Sequence, residues 1–498
     1  MFKKILIANR GEIAIRVIHA CKEMGIETVA VYSKVDEKAP HVNLSDESVN
    51  LGDPTPSESY LNIGKIIEAA EKKGAEAIHP GYGFLAENPD FAQACRDSGL
   101  KFIGPDARVI ALMGDKIKAK KTMEKAGVPI IPGYHGLKQD TKILVKEGKK
   151  IGFPLLVKAV AGGGGKGMKI VHSEENLEES IESAKREAKS SFGNDMVFLE
   201  RYLDKPRHIE FQILADEHGN IIHLFERECS IQRRHQKIIE ETPSPVMTKD
   251  LRKEMGEAAV KAAEAVGYTN AGTIEFMVDG NLNYYFMEMN TRLQVEHPIT
   301  EMTTGVDIVK RQIKIAAGEE LDLTQKDVHQ RGHALECRIY AEDPAHGFLP
   351  SVGVLEKVEM PLGPNIRNDA GIETGLEITP YYDPMLAKLI VGGENREESI
   401  NKMIWALSRY VILGVTTNIP FLKRVLKHEA FRRGNITTHF IDTYFKDWGE
   451  QQKGLPLDAI IGLAIYNALH PKREEVVRYK EPDPHSPWKH TGRWRIGV

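Results

Sequence analysis

The chain has 498 residues, 41% apolar and 28% charged, with a formal net charge of −4. This is the composition of a soluble globular enzyme of about three domains; it argues against a broad nucleic-acid surface, and no apolar run approaches a membrane span. The start, Met-Phe-Lys-Lys-Ile-Leu-Ile-Ala, is too short an apolar stretch for a signal peptide, and Cys21, Cys95, Cys229 and Cys337 form no zinc or CxxC pattern, so reduced thiols and a cytoplasmic location are expected.

The first hundred residues alternate. Lys4–Ala8 reads as a strand, Ile13, Val17, Ala20, Cys21 and Met24 have helical spacing ended by Gly25, and Thr28–Tyr32 is a second strand. Helices near Leu61–Lys73 and Asp90–Ser98 precede strands at Ala75–His79 and Lys101–Ile103. Repeated strand–helix–strand units predict a parallel α/β sheet. The turn Asn9-Arg10-Gly11-Glu12 is not a GxGxxG fingerprint, which leaves a dinucleotide site poorly supported. Asp115–Lys125 is a lysine-rich helix, residues 130–205 carry their own strands around a glycine run, and 206–300 is strand-rich with a helix near Leu251–Val266. Helices are expected at Gly305–Ala317 and Glu397–Arg409, strands at His333–Glu342 and onward to Val391, and a short helix in the apolar stretch Ala459–Leu469.

Several stretches carry chemistry. In Tyr284–Asn290, alternation places Glu288 and Asn290 on one face, and oxygen ligands of this kind suit a hard cation such as Mg²⁺. Arg292 adds a cationic fork and Glu296 a proton acceptor; the competing reading is an edge strand with a solvated charged end. The run Gly162–Gly165 with Lys166, Gly167 and Met168 fails the Walker pattern and reads either as a phosphate-covering lid or as a flexible hairpin tip. Lys158, inside the apolar strand Leu155–Val160, calls for a phosphate partner or snorkels at an edge. Lys116 sits beside Lys118, Lys120 and Lys121, a run that a solvated helix face largely explains. In His208–Leu214, Ile209, Phe211 and Ile213 face a core, while His208, Glu210 and Gln212 face a cleft or water. Arg233, Arg234, His235 and Lys237 form a basic cluster suited to small anions, Glu275 offers a second metal carboxylate, and Arg338 either enters the cleft or pairs with Glu336 or Glu342.

Taken together, Ile5–Ala14, His79–Leu85, Gly162–Met168, Gln232–Lys237 and Glu288–His297 resemble biotin carboxylase, a member of the ATP-grasp superfamily, over about residues 1–447. The resemblance implies an α/β and α+β architecture in three parts: an N-terminal parallel α/β domain (1–113), an ATP-grasp domain (114–332) with a mobile lid at about 131–203, and a C-terminal mixed domain (333–447), followed by an extension (448–498) suited to partner docking. It also implies roles. Lys116, Lys158, Gly164, Gly165, Glu200, Leu203, His208 and His235 match ATP contacts; Glu275, Glu288 and Asn290 match ligands of Mg²⁺ or Mn²⁺, with Glu275 and Glu288 also at the nucleotide. Lys237, Arg292, Gln294 and Val295 match the bicarbonate pocket, Glu296 the base, and Arg338 the group that stabilises the biotin enolate.

The implied reaction is ATP- and bicarbonate-dependent carboxylation of biotin through carboxyphosphate. The family's biotinyl attachment sequence, Ala-Met-Lys-Met, does not occur in this sequence. The resemblance therefore implies a homodimer that works with a separate biotin carboxyl carrier protein and a carboxyltransferase subunit, with no nucleic-acid or membrane partner. An acetyl-CoA or propionyl-CoA carboxylase is the expected assembly, and a pyruvate carboxylase built from separate biotin carboxylase and carboxyltransferase chains the alternative. Two rivals stand beside this reading: another ATP-grasp ligase, which has no need of Arg338, and a non-catalytic scaffold, which has no need of an intact Glu275, Glu288, Asn290 and Glu296.

Overall fold

The computed structural model describes residues 1–160, 168–234, 236–446, 448 and 457–469. Met1–Gly449 forms one compact unit; a second begins at Glu450, and its described part is the helix Leu457–Leu469. Among the described residues no helix is long and apolar enough to cross a membrane.

The N-terminal segment folds as expected. Strands β1 (Lys4–Ile7), β2 (Glu27–Ser33), β3 (Glu47–Gly52), β4 (Ala77–His79) and β5 (Lys101–Phe102) form an all-parallel sheet in the order β3-β2-β1-β4-β5. Its helices carry local start and stop signals: Asn62 accepts from the Lys65 N–H ahead of Ile63–Lys73, and Gly74, at φ +66°, closes that helix. Asn9 clamps the loop after β4 by donating to the carbonyls of Pro80 and Tyr82, each at 2.8 Å. Gly81 is required there, because its φ is +62° and an added Cβ would lie 2.9 Å from the Asn9 amide nitrogen.

A small antiparallel sheet, ordered β6-β9-β7-β8, contains β6 (Gly133–Tyr134), β7 (Leu155–Ala159), β8 (Met168–Val171) and β9 (Val197–Arg201). Helices Thr141–Ile151 and Leu177–Phe192 pack on it around Leu144, Leu155, Leu177 and Ile181.

The largest sheet is antiparallel and has eight strands: β10 (Arg207–Ala215), β11 (Ile221–Arg233), β12 (Gln236–Thr242), β13 (Asn270–Val278), β14 (Tyr284–Asn290), β15 (His333–Tyr340), β16 (Ile366–Ala370) and β17 (Met385–Gly393), in the order β14-β13-β10-β11-β12-β15-β17-β16. It runs without a break across position 332, where the sequence pattern suggests a change of domain. β12 pairs directly with β15, Ile239 opposite Cys337. One face packs against the helix Lys249–Val266 through Ile209, Phe211, Ile274 and Phe276.

Two helix expectations need correction. Gly305, at φ +75°, closes a helix over His297–Thr304 rather than opening the next one, which runs Ile308–Ala316 from the Asp307 cap. The earlier helix is hard to read because Pro298 and β-branched residues fill it, yet proline in the first turn costs no intrahelical bond. Lys120, placed by the sequence on a solvated face, is buried with Ile117, Ala119 and Met123.

Candidate active site

The site grows from the parity of the eight-stranded sheet. Glu288 lies opposite Glu275, Glu275 opposite Glu210, and Glu210 opposite Arg227, so one row crosses β14, β13, β10 and β11 on one face. Register shifts on either side of Ile231 then turn Lys237 of β12 onto the same face as Glu240. Glu240 lies opposite Glu336, and two residues on, Arg338 lies opposite Lys388 of β17. The polar face that sequence alternation left open to a cleft or water is therefore a buried charged floor: Glu210, Arg227, Glu240, Glu336 and Lys388 are each 0% exposed.

Above this floor passes the segment 290–296. Glu296 is buried and accepts from Lys237 Nζ at 2.7 Å and Arg338 Nη2 at 2.9 Å. Burial would raise its carboxyl, but Lys237, Arg338 and Arg227 overcome burial and hold it well below the usual carboxylate range. Burial likewise opposes charge on Lys237, yet Glu210 at 2.5 Å, Glu275 at 2.9 Å and Glu296 raise its ammonium well above the usual lysine value. Arg338 does not take the ion pairs considered from sequence: it donates to Glu240 at 2.6 Å and Glu296, while Glu342 pairs with Arg233. Gln294 bridges the floor, accepting from Arg227 Nη2 and donating to Glu275, both at 2.7 Å. The Val295 carbonyl accepts from Lys388 at 2.9 Å. Arg292 is aimed by Glu87, which accepts from its Nε at 2.7 Å, and it donates to Asn290 Oδ1 at 2.9 Å.

The metal-type oxygens gather beside this pocket. Glu275 accepts from Asn290 Nδ2 at 2.8 Å and lies 2.9 Å from His208 Nε2. The Glu288 side chain, exposed at the cleft, carries no hydrogen bond or ion pair to another described side chain, and partial desolvation by the protein around it together with the neighbouring Glu275 raises its carboxyl. An unmatched carboxylate next to a second one, with an amide oxygen two residues on, fits a hard divalent cation, which would have to draw the Asn290 oxygen away from Arg292.

Of the described nucleotide-type residues, Lys158 and Glu200 lie on the small sheet, Leu203 just beyond it, His208 on β10 and Lys116 on the helix Lys116–Lys125. Lys158 donates to Glu200 at 2.6 Å, Lys120 closes on the other Glu200 oxygen, and His135 lies 3.9 Å away. The half-buried Lys116 begins that helix, and Leu203 lines a cavity of about 470 Å³ with Tyr202, Asp204 and Tyr285. Gly164, Gly165 and His235 lie outside the described residues. Sequence reasoning assigned no role to Glu87, Lys120, Arg227, Glu240 or Lys388. A lysine inside an apolar strand was a signal that could have found Lys388, since Leu386-Ala387-Lys388-Leu389-Ile390 repeats the pattern around Lys158.

Three family descriptions match in chain order: biotin carboxylase, N-terminal domain (residues 1–110), carbamoyl-phosphate synthase L chain, ATP binding domain (115–324), and biotin carboxylase C-terminal domain (336–443). A biotin carboxylase of Nostoc is 54% identical over 440 residues, covering 88% of this chain and 98% of that one. The chain belongs to the biotin carboxylase family. It is an ATP-dependent ligase acting on biotin. One of the pyruvate carboxylase subunits of Methanothermobacter thermautotrophicus is 57% identical, covering 89% of this chain and 90% of that protein. The biotin carboxylase domain dimer of Hydrogenobacter thermophilus 2-oxoglutarate carboxylase, solved with MgADP, ADP and bicarbonate, superposes with a TM-score of 0.85 at 51% identity, covering 89% of this chain and 98% of that one.

Proposed function

We propose that this biotin carboxylase activates bicarbonate at Glu296 and transfers the carboxyl group to biotin on a separate carrier protein. The observation that carries the reading is Glu296 held between Lys237 and Arg338, beside the Glu275–Glu288 pair. Bicarbonate entering beside Lys237 competes for its ammonium, and weakening that ion pair makes Glu296 a better proton acceptor. Lys237 and Arg292 hold the resulting charge. A bicarbonate oxygen attacks the γ-phosphorus of ATP, the bond to ADP breaks, and carboxyphosphate forms. Glu275, Glu288 and Asn290 would hold Mg²⁺ or Mn²⁺, which neutralises charge on the transferring phosphate. Lys116, Lys158 and His208 bind the nucleotide, with Glu200 and Leu203 at its base and the glycine segment containing Gly164 and Gly165 as the lid. Carboxyphosphate then splits to CO₂ and phosphate, the phosphate takes the biotin N1 proton, Arg338 stabilises the ureido oxyanion, and N1 attacks CO₂.

We assign residues 1–113, 114–332 and 333–447 to the three functional parts and infer a homodimer in the cytoplasm, working with a carrier protein and a carboxyltransferase. The preferred assembly is an acetyl-CoA or propionyl-CoA carboxylase. The Methanothermobacter relative favours a pyruvate-directed assembly as the second reading. The test is phosphate release from MgATP by the purified chain: it should require bicarbonate and rise with free biotin, and nucleotide binding without either dependence overturns the reading. Acetyl-CoA, propionyl-CoA and pyruvate offered to the complex purified from its source decide the acceptor.

A further inference from the structure

Lys388 is fully buried, yet nothing in the reaction described above uses it. Its ammonium lies 3.1 Å from Glu12 Oε2 at the start of the helix Gly11–Glu23 and 3.7 Å from Asp369 Oδ2 on the adjacent strand β16. Its one hydrogen bond to the site goes to the Val295 carbonyl. That carbonyl and the Glu296 N–H belong to the same planar peptide unit, so fixing one fixes the other. Lys388 also lies directly opposite Arg338, which grips the Glu296 carboxylate. Two cross-strand neighbours thus hold Glu296 from both ends, one through its peptide and the other through its side chain.

A lysine buried only for stability needs carboxylates, and Glu12 and Asp369 supply them. The additional bond to a backbone carbonyl at the bicarbonate pocket is what such a role does not require. We propose that Lys388 is a positioning residue for bicarbonate activation. It anchors the Val295–Glu296 peptide to the N-terminal helix through Glu12 and to the sheet edge through Asp369, and so sets the base at the distance its proton transfer needs. This inference rests on the assignment of Glu296 as the base.

The experiment compares Lys388→Met with wild type in the full chain, measuring KM for bicarbonate and for MgATP, kcat, and thermal midpoint. Because misplacing a reacting group by about 1 Å costs on the order of a hundredfold, KM for bicarbonate should rise about tenfold or more and kcat should fall, with KM for MgATP within about twofold. Unchanged bicarbonate kinetics, or an equal change in both KM values, overturns the positioning role. If Lys388→Met does not fold, Glu12→Gln, which loosens the anchor and keeps the ammonium, decides on the same scale: a selective rise of about threefold in bicarbonate KM supports the role, and no selective rise overturns it. A wild-type chain whose ATP cleavage ignores bicarbonate removes the Glu296 assignment and this inference with it; a bicarbonate-dependent wild type with an indifferent Lys388→Met removes this inference alone.

Discussion

Replacing Glu296 with Gln separates its chemical role from its structural one, because the two losses differ in size. Glu296 accepts from Lys237 and Arg338, but neither cation depends on it alone: Lys237 keeps Glu210 at 2.5 Å and Glu275 at 2.9 Å, and Arg338 keeps Glu240 at 2.6 Å. The roughly 3–5 kcal/mol lost when a buried charge is stranded therefore does not apply. The amide oxygen can satisfy one cation while the NH₂ group faces the other, a mismatch of about 1–2 kcal/mol. Removing a general base costs about 10²–10⁴ in rate, and a thousandfold loss is about 4 kcal/mol of transition-state stabilisation. The expected variant is folded, slightly less stable, and binds MgADP near wild-type affinity, while bicarbonate-dependent phosphate release falls about a thousandfold. Calorimetric MgADP binding and a phosphate-release assay on one preparation check this. Phosphate release within about tenfold of wild type would refute the assignment of Glu296 as the base.

Three further outcomes follow from the same geometry. Arg338→Ala should lower biotin-stimulated turnover about a hundredfold with MgADP affinity within about twofold of wild type; equal losses of both contradict a role in stabilising the biotin oxyanion. Glu288→Gln should raise the half-saturating Mg²⁺ concentration about tenfold or more in a metal titration of ATP cleavage, and an unshifted titration removes it as a ligand. Glu241 is buried, and although burial raises its carboxyl, His333 at 3.0 Å and Arg396 at 2.6 Å outweigh that and lower it from 4.5 to about 2. A depressed carboxylate contributes its full stability above pH 4.5 and loses it as pH falls toward about 2. The thermal midpoint of wild type should exceed that of Glu241→Gln at neutral pH, and the gap should close through that acidic window; a gap that widens there would count against the pairing.

The parts of the fold legible in the sequence were those governed by local rules. Tyr284–Asn290 is a strand over that span because aromatic residues of high strand preference open it and Met-Glu-Met-Asn alternates at its end, and the parallel N-terminal sheet follows from short apolar strands punctuated by Gly25, Gly74 and Gly99. The face shared by His208, Glu210 and Gln212 was also correct. What covers that face was not legible, because Arg227, Thr300 and Gln294 reach it from distant positions. The parity of Lys237 depends on irregularities around Ile231 that no alternation rule contains. Lys120 was hidden among neighbouring lysines, since only the position of Glu200 distinguishes it from the solvated ones. Glu87 became relevant only once the loop after Gly83 folded back on Arg292.

The strand pairing between β12 and β15 has a consequence for how this enzyme can be divided. Cutting the chain near position 332 would strip β12 of one of its two partners, leaving β11 alone beside it and a row of unsatisfied amides and carbonyls along its other edge. Such a margin is a template for intermolecular pairing, so an excised 114–332 fragment should self-associate instead of serving as a portable ATP-binding module.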